Sequence, residues 1–234
     1  MRKSPPLPPG QREIESFPRF GLTPFAVRFP AEIDTARILI SGDVEAAVEV
    51  SEELALMARV EQCSDFHCVT TWTRRALQWS GFRFSDFYQQ IVVPLAHPPP
   101  EATFVVLRGQ DGARTSLPLE DLLAPDVLLA DRLNGQPLPV EHGAPLRVVA
   151  PAHYGYKSVK HLNRIEFWLS GASYRPFGLR FMVHPRARVA REERGQFVPG
   201  WLLRYLYRPL IRPTASRFER AMQKYRESHD QNEK

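Results

Sequence analysis

Cys68 is the first residue of this sequence that could carry chemistry. It lies in the stretch 65–72, DFHCVTTW, among apolar, β-branched and aromatic residues. A lone cysteine in such a run is most often a small buried hydrophobic residue. The functional alternatives are a nucleophile, which needs a base and an orienting group, and a thiolate ligand of a soft transition metal. His67 is a poor base for Cys68, because adjacent residues on a strand point to opposite faces.

The cysteine count limits the metal chemistry that the protein alone could support. The sequence has 2 cysteines, too few for a disulfide framework or for a Cys-rich zinc or iron–sulfur site. Cys63 and Cys68 form a C-x4-C pair, which is not a strong redox or zinc spacing. A metal bound by Cys68 would therefore take its other ligands from elsewhere, for instance from a cofactor.

A second group of candidates could bind an anion. The stretch 141–160, EHGAPLRVVAPAHYGYKSVK, places Arg147 in a β-rich run and Ser158 in a loop between Lys157 and Lys160. Outside this loop, lysine occurs only near the two ends of the chain, and arginine carries the other basic positions. Arginine, serine and lysine donors that converge with backbone N–H groups can bind a phosphate. The alternative is a solvated basic turn.

The elements that would position these residues are short. Strands are predicted at 37–41, 66–72, 102–107, 146–150 and 164–169, and helices at 51–60, 85–93, 117–130 and 215–228. In the last strand, alternation predicts that Phe167 and Leu169 face the core and Glu166 the solvent. No G-x-G-x-x-G motif, P-loop or internal repeat is present. The sequence therefore predicts an α+β fold with a mixed or antiparallel sheet and short helices.

Composition divides the chain into a Pro-rich extended arm at 1–19, a domain at 20–174 and a basic aromatic C-terminal extension at 175–234. The extension holds 12 Arg and 2 Lys against 6 acidic residues, whereas residues 1–174 carry 17 basic and 20 acidic residues. An acidic body with a basic tail disfavours nucleic acid as a partner. It favours a protein or an anionic membrane surface.

The segment 196–212 is the part of the extension best suited to such a contact. On a helix from Trp201, an apolar stripe and a parallel arginine stripe are formed by Leu202, Leu206, Leu210, Arg204, Arg208 and Arg212. Pro209 is expected to bend or end this helix. The stripe is expected to pack against this or a neighbouring subunit, with contact to a membrane surface as the alternative. The oligomeric state is left open.

The expected location is cytoplasmic. No apolar run reaches the roughly 18 residues that a membrane span needs. Residues 1–10 are Pro-rich where a signal peptide would have an apolar stretch.

Three stretches of the chain resemble the sulfite-oxidase-type molybdopterin-binding domain. They are 67–72 with 79–82, then 128–130 with 134–138, and then 142–151 with 154–160 and 164–166. Their order and spacing cover roughly residues 36 to 170. Within the family, the resemblance is greatest to small bacterial molybdopterin-dependent oxidoreductases such as the methionine-sulfoxide reductase catalytic subunit.

The resemblance implies roles for individual residues. Cys68 would be the thiolate that the protein supplies to molybdenum. It would thus be both the metal-binding and the catalytic residue. The pterin and its phosphate would be held by His142, Arg147, Ser158, Lys160 and the backbone of Val159. His142 stands where a relative has asparagine. The stretch 17–21, FPRFG, is the candidate for the N-terminal segment that contacts the pterin in relatives.

The function implied is that of an oxidoreductase that uses molybdenum-molybdopterin for two-electron oxygen-atom transfer. Its substrate would be a small or sulfur-containing molecule, sulfite-like or sulfoxide-like. A sulfite-like dianion would favour arginines near the metal, and the candidates are Arg74, Arg75, Arg83 and Arg108. The sequence has no haem or iron–sulfur motif, so electrons would be exchanged with a separate partner. The alternative is a non-catalytic module that binds a pterin or another phosphorylated ligand and docks through its basic tail.

Overall fold

Two β-sheets with short helices form the centre of the computed structural model, which describes residues 6–232. Residues 1–5 of the predicted arm lie outside the described part. The strands are β1 Arg12–Glu13, β2 Ile38–Gly42, β3 Val48–Val50, β4 Val60–His67, β5 Trp72–Arg83, β6 Phe104–Gly109, β7 Arg114–Pro118, β8 Leu128–Leu133, β9 Gln136–Pro137, β10 Arg147–Val149 and β11 Leu162–Trp168. The helices are α1 Glu52–Ala55, α2 Phe84–Phe87, α3 Val93–Ala96, α4 Leu119–Leu122, α5 Gly200–Tyr207 and α6 Ile211–Asn232.

Both sheets are mixed. The first has the order β1-β5-β8-β10, with β4 also on β5 and β9 on β8, and the second has the order β3-β2-β11-β6-β7. β1 is parallel to β5 and β2 is parallel to β11, whereas the other pairs in the described part are antiparallel. The predicted α+β class, with mixed sheets and short helices, is confirmed.

One hydrophobic core joins the two sheets. It contains Ile40 and Ile165 from the second sheet and Leu129 from the first, all fully buried. Burying a side chain of this size stabilises a fold by about 1.5–3 kcal/mol. The neighbours of Leu129 on β8, Leu128 and Ala130, belong to a second cluster on the opposite face of the first sheet. β8 is therefore covered on both faces.

Two of the predicted helices are wrong. The helix expected at 51–60 is the single turn α1, because Val60 already belongs to β4 and pairs with Gly81. The helix expected at 117–130 is only α4, between strands β7 and β8. In both places the backbone hydrogen bonds of a sheet are preferred over a locally helical pattern. The helix predicted at 85–93 is confirmed within a longer helical segment, α2 and α3 joined by a π-turn at Tyr88–Val92.

The strand predicted at 164–169 is confirmed as β11, but the predicted orientation of two side chains is wrong. Glu166 is buried rather than outward, because Arg108 on the neighbouring strand β6 donates to its carboxylate at 2.8 and 3.1 Å. Leu169 lies beyond the end of the strand and is 55% exposed. Phe167 is buried as predicted.

The described part of the arm and the extension both pack on the body. Arg12 and Glu13 pair with Trp72 and Thr73 as strand β1, so this part of the arm is fixed in the first sheet. In the extension, a 3-10 turn at Arg208–Leu210 separates α5 from α6, as Pro209 predicts. No helix of the described residues is long and apolar enough to cross a membrane.

The face that α5 turns toward the body differs from the predicted one. Leu203 and Tyr207 are buried, whereas the leucines of the predicted stripe, Leu202, Leu206 and Leu210, are 41, 58 and 51% exposed. Most of the surface of the stripe is therefore not covered by its own subunit, although Leu210 borders the cavity described below. The buried face starts one residue later, because its aromatic Tyr207 reaches the cavity described below.

Candidate functional site

Cys68 begins a tight turn between β4 and β5. Its N–H donates to the Trp72 carbonyl at 2.8 Å, and the Thr71 N–H donates to the Cys68 carbonyl at 3.1 Å. Thr71 has a φ of +86°, a left-handed conformation that costs a residue of this type about 1–3 kcal/mol. Such a conformation persists only where surrounding contacts determine it. Gln11 of the arm provides one, since its side-chain amide donates to the Cys68 carbonyl at 3.1 Å.

The Cys68 thiol is buried, with its sulfur 3.1 Å from the Thr70 hydroxyl. Burial raises the pKa of the thiol, while the hydrogen bonds from Thr70 and the charges of Arg194 and Lys160 oppose that rise. A thiol of this kind stays protonated until a cation replaces the proton. The surroundings therefore suit a metal ligand better than a free nucleophile.

The two residues considered as partners of Cys68 are engaged elsewhere. His67 has its Nδ1 2.8 Å from the Thr73 hydroxyl, and burial lowers its pKa. Cys63 is a free, exposed thiol on β4, whereas Cys68 is buried. The strand predicted at 66–72 is wrong at Cys68, because β4 ends at His67 and β5 begins at Trp72, with a turn between them.

A cavity of about 350 Å³ opens beside the turn. Four of the predicted site residues line it together: Cys68, Ser158, Val159 and Lys160. The stretch 17–21, the candidate for the N-terminal pterin contact, lines it as well. Two segments that the sequence did not suggest complete the wall, 176–183 and the stretch from Tyr207 to Phe218.

Positive charge is concentrated on one part of the wall. Lys160 donates to the Glu141 carbonyl at 2.8 Å, and its pKa is lowered to about 7 by burial and then by the charges of Arg147 and Arg19. Asp111 is the single carboxyl on the described wall, and burial raises its pKa. The charges of Asp111 and Glu141 oppose the lowering of the Lys160 pKa only in part. This part of the cavity therefore suits an anion such as a phosphate.

Ser158 and Val159 contribute differently. The Ser158 hydroxyl accepts the Ala150 N–H at 3.2 Å, so its own proton remains available to a ligand. The Val159 N–H donates to the Lys157 carbonyl at 3.1 Å, and its carbonyl accepts the Val148 N–H at 2.9 Å. Ser158 is thus a free donor, whereas Val159 shapes the loop.

Arg147 lies behind the wall rather than on it. It is fully buried, and it donates to the carbonyls of His142 at 2.8 Å and Ser158 at 3.2 Å. Burial lowers its pKa to about 9, and its guanidinium lies over the rings of Phe66 and Trp79. Arg147 therefore joins the two loops, and its direct contact with a pterin stays a prediction.

His142 also lies beside the cavity without lining it. Its ring stacks on Phe17 with the centroids 4.4 Å apart. Burial, Lys160 and Arg147 lower its pKa to about 3, so the ring is neutral. Its buried Nδ1 has no hydrogen-bond partner among the described residues. The contact of His142 with the pterin likewise stays a prediction.

The arginines expected near a sulfite-like substrate are placed elsewhere. None of Arg74, Arg75, Arg83 and Arg108 lines the cavity. Arg108 instead pairs with Glu166, and Arg83 donates to the Pro125 carbonyl. These partners hold the side chains of Arg83 and Arg108 away from the cavity. The sequence alone does not show which face of a strand a residue occupies, so it did not reveal this. Arg19 and Arg114 are the arginines on the described wall.

The wall has unused hydrogen-bonding capacity. Four of its buried polar atoms have no partner among the described residues: Trp72 Nε1, Arg114 Nε, Thr115 Oγ1 and Tyr207 Oη. Such atoms are costly unless a ligand or water engages them. The described residues also form no cluster of three or more metal-binding side chains. A metal on Cys68 would thus need a cofactor for its other ligands, and a phosphorylated, polar cofactor with its own sulfur ligands fits this donor set.

Comparison with known proteins gives the same picture. Residues 26–171 match a family described as the oxidoreductase molybdopterin binding domain. An uncharacterized oxidoreductase of Bacillus subtilis, YuiH, is 37% identical over 162 residues, covering 69% of this chain and 78% of that protein. The protein-methionine-sulfoxide reductase catalytic subunit of Campylobacter jejuni is 30% identical over 149 residues, covering 56% of this chain and 48% of that protein. The chain thus spans about half the length of the latter relative.

A solved structure gives the same fold. The sulfane dehydrogenase SoxCD of Paracoccus pantotrophus matches with a TM-score of 0.50 and 23% identity, covering 58% of this chain and 38% of that chain. The family match ends at residue 171, so the cavity wall from 176 onward lies outside it.

Proposed function

The chain belongs to the family of oxidoreductase molybdopterin-binding domains, and from this premise we propose how its residues act. It is a molybdopterin-dependent oxidoreductase of the sulfite oxidase type with molybdenum-molybdopterin as cofactor. We propose that it performs two-electron oxygen-atom transfer with Cys68 as the metal ligand. The supporting observation is that Cys68 and the anion-binding side chains of Ser158 and Lys160 line one cavity.

The cofactor, when bound, supplies a metal centre that exchanges an oxygen atom and two electrons with the substrate. Cys68 would hold the metal as a thiolate, and the turn would fix the direction of its sulfur. The Thr70 hydroxyl, 3.1 Å from that sulfur, then donates to the thiolate and moderates its donor strength.

The phosphate end of the cofactor is proposed to lie against Lys160 and Ser158. A dianion near Lys160 favours its protonated form and raises its pKa from the depressed value. The Ser158 hydroxyl, whose own proton is not engaged within the protein, donates a hydrogen bond to the phosphate. Arg147 acts behind them, because it fixes the carbonyls of His142 and Ser158 and so the shape of the loops.

The substrate that the wall supports best is an uncharged sulfur compound, sulfoxide-like rather than sulfite-like. The side chains that the extension adds to the wall are mainly apolar or aromatic, among them Phe177, Leu179, Met182 and Phe218. The guanidinium of Arg19, which also lines the cavity, donates to the carbonyls of residues 25, 26 and 28. Arg114 is then the one arginine on the described wall with an unpaired donor, whereas a dianionic substrate would favour several arginines.

We also propose that the exposed face of α5 binds an anionic membrane surface. Trp201, Tyr205 and Leu206 are more than half exposed on this helix. The segment 196–212 has Arg204, Arg208 and Arg212 and no acidic residue. Aromatic and leucine side chains next to arginines favour the interface of an anionic bilayer. A cytoplasmic location stays a prediction.

The membrane proposal predicts co-sedimentation with vesicles that contain phosphatidylglycerol and little binding to neutral phosphatidylcholine vesicles. Leu206→Ser with Tyr205→Ser should remove the binding. A concentration-dependent dimer that the same substitutions dissociate, without vesicle binding, would assign the face to a second copy instead.

The catalytic proposal is tested by metal and pterin analysis combined with two assays. Protein from a host that makes the cofactor should contain molybdenum near one equivalent. It should oxidise reduced methyl viologen with methionine sulfoxide or dimethyl sulfoxide faster than it reduces ferricyanide with sulfite. Protein without molybdenum from such a host would favour the non-catalytic binding module, and faster sulfite turnover would reverse the substrate preference.

A further inference from the structure

Arg194 is a fully buried arginine in the extension, outside the residues that match the family. It lies at the meeting point of three segments. Its guanidinium donates to the carbonyl of Val69 in the Cys68 turn and, at 3.0 Å, to the carbonyl of Pro9 in the arm. Its Nε lies 3.2 Å from the carboxylate of Glu192.

We propose that Arg194 is a positioning residue that fixes the Cys68 turn and thereby the direction of the Cys68 sulfur. This inference rests on the proposed function, because it takes Cys68 as the metal ligand. Arg194 reaches the turn through the backbone, so it acts on the metal site without touching the sulfur.

The Cys68 turn depends on such contacts. Thr71 is held at positive φ, and the carbonyls around it are engaged from outside the turn. Gln11 donates to the Cys68 carbonyl, and the Arg12 N–H donates to the Thr71 carbonyl at 2.9 Å. Both of these come from the arm. Arg194 engages Val69, the remaining side of the turn, and holds the arm through Pro9 at the same time.

The geometry calls for an arginine rather than a lysine. A planar guanidinium can donate in several fixed directions at once, whereas an ammonium group is a compact point charge. The guanidinium also lies over the Tyr154 ring, 5.0 Å from its centroid. The arm approaches closely at Gly10, where an added Cβ would be 3.0 Å from Arg194 Nη2. The positive φ of +69° at Gly10 fits the same close approach.

Arg204 offers a matched control. Its Nε lies 3.3 Å from the same carboxylate oxygen of Glu192 that Arg194 contacts. Its hydrogen bonds within the described residues go to Trp201 and Glu192, not to the Cys68 turn. Loss of an arginine–Glu192 pair alone can therefore be separated from loss of the contact with Val69.

The experiment uses the full-length protein as purified, in a Cys63→Ser background that leaves Cys68 as the one thiol. Arg194→Met, Arg194→Lys and Arg204→Gln are compared with the parent for molybdenum content. The molybdenum(V) electron paramagnetic resonance spectrum is recorded during dithionite titration. The rate of alkylation by iodoacetamide is measured on the same samples, and thermal melting reports folding.

We expect Arg194→Met to shift and broaden the molybdenum(V) spectrum and to accelerate alkylation by about tenfold or more, as expected when a charge-assisted hydrogen bond is lost. Arg194→Lys keeps the positive charge but not the planar guanidinium with its several N–H donors, and it should give intermediate changes in both the spectrum and the alkylation rate. Arg204→Gln should match the parent. If Arg194→Met does not fold, the spectrum and alkylation rate of Arg194→Lys decide.

Parent-like spectra and alkylation rates in the folded Arg194 variants would overturn the positioning role, as would equal changes in Arg204→Gln. Failure of the proposed function looks different, because the parent itself would then lack molybdenum. The alkylation rates would still decide whether Arg194 fixes the Cys68 turn.

Discussion

Lys157 and Lys160 are three residues apart, and burial lowers the pKa of each to about 7, yet they serve different regions. Lys160 lines the cavity wall, where other cations face it. Lys157 lies in what we call the seam, the region where Lys157, Ser116 and Asp121 meet residues 185–193 of the extension. There its Nζ donates to the carbonyls of Ser116 and Pro185, at 2.6 and 2.7 Å. The seam satisfies its buried cation from within the protein, whereas the cavity wall leaves positive charge for a ligand.

The rest of the seam follows the same rule. Arg186 of the extension forms a bidentate pair with Asp121 of α4, and Arg188 pairs with Glu193. Each charge there has an opposite charge or carbonyl dipoles, so the seam contributes to stability. The cavity wall has unpaired donors, so it contributes to binding. Substitutions in the two regions should therefore separate function from stability.

The largest effect is expected on the cavity wall at Cys68. Cys68→Ser should reduce oxygen-atom transfer by roughly a hundredfold or more, because a hydroxyl is a harder and poorer ligand for a soft metal site than a thiolate. The measurement is the turnover rate per molybdenum, with the molybdenum(V) spectrum as a second readout. Cys63→Ser is the control and should leave both unchanged. Equal losses from the two substitutions would contradict a single protein ligand.

The next largest effect is expected in the seam. Lys157→Met should lower the free energy of unfolding by about 2–4 kcal/mol, because it leaves the buried carbonyls of Ser116 and Pro185 without a donor. Thermal unfolding should show the loss, while the molybdenum content of the folded fraction stays near that of the parent. A stable Lys157→Met protein without cofactor would instead place Lys157 in the binding site.

Lys160→Met is the reverse case. It should lower cofactor content by about tenfold, since it removes a charge-assisted donor worth about 1.5–3 kcal/mol. The melting temperature of the cofactor-free protein should be unchanged or higher, because a poorly solvated cation is removed. Full molybdopterin content in this variant would exclude Lys160 from the phosphate site.

The smallest effect is a pH dependence. The folded-state pKa of Lys160 is lowered from 10.5 to about 7, so the unfolded chain binds more protons between these values. The stability of the cofactor-free protein should therefore rise as the pH increases from about 7 to about 10. Urea unfolding at several pH values should show a smaller rise in Lys160→Met. With cofactor bound, the phosphate beside Lys160 should also reduce the rise of stability with pH. Equal slopes in the cofactor-free parent, in Lys160→Met and in the cofactor-bound parent would contradict a depressed pKa at Lys160.

The sequence was informative where chemistry is local. The residue types in 67–72 and 154–160 made Cys68, Ser158 and Lys160 candidates, the family resemblance implied their roles, and all three line one cavity. The strands near 38–42, 104–109, 147–149 and 162–168 followed from β-branched runs between turns. The predicted helices at 51–60 and 117–130 were wrong because sheet pairing depends on partners distant in sequence.

The extension was predictable in outline but not in its contacts. A helix from Trp201 and a break near Pro209 are both observed. Two apolar faces of that helix were available in the sequence, and only the shape of the body selects the one with Leu203 and Tyr207. Arg194 gave no local signal at all, since an arginine that follows two acidic residues has the same sequence pattern whether it is buried or solvated.

The stacked rings of Phe20 and Phe218 have a consequence for how the protein matures. Their centroids are 6.3 Å apart, and both residues line the cavity. During synthesis, the ribosome releases Phe20 early and Phe218 only after all the other residues of the wall. The nascent chain therefore passes through a stage in which the pocket is open on the side that α6 later covers. A chain that ends before Phe218 would therefore leave the cavity open on this side.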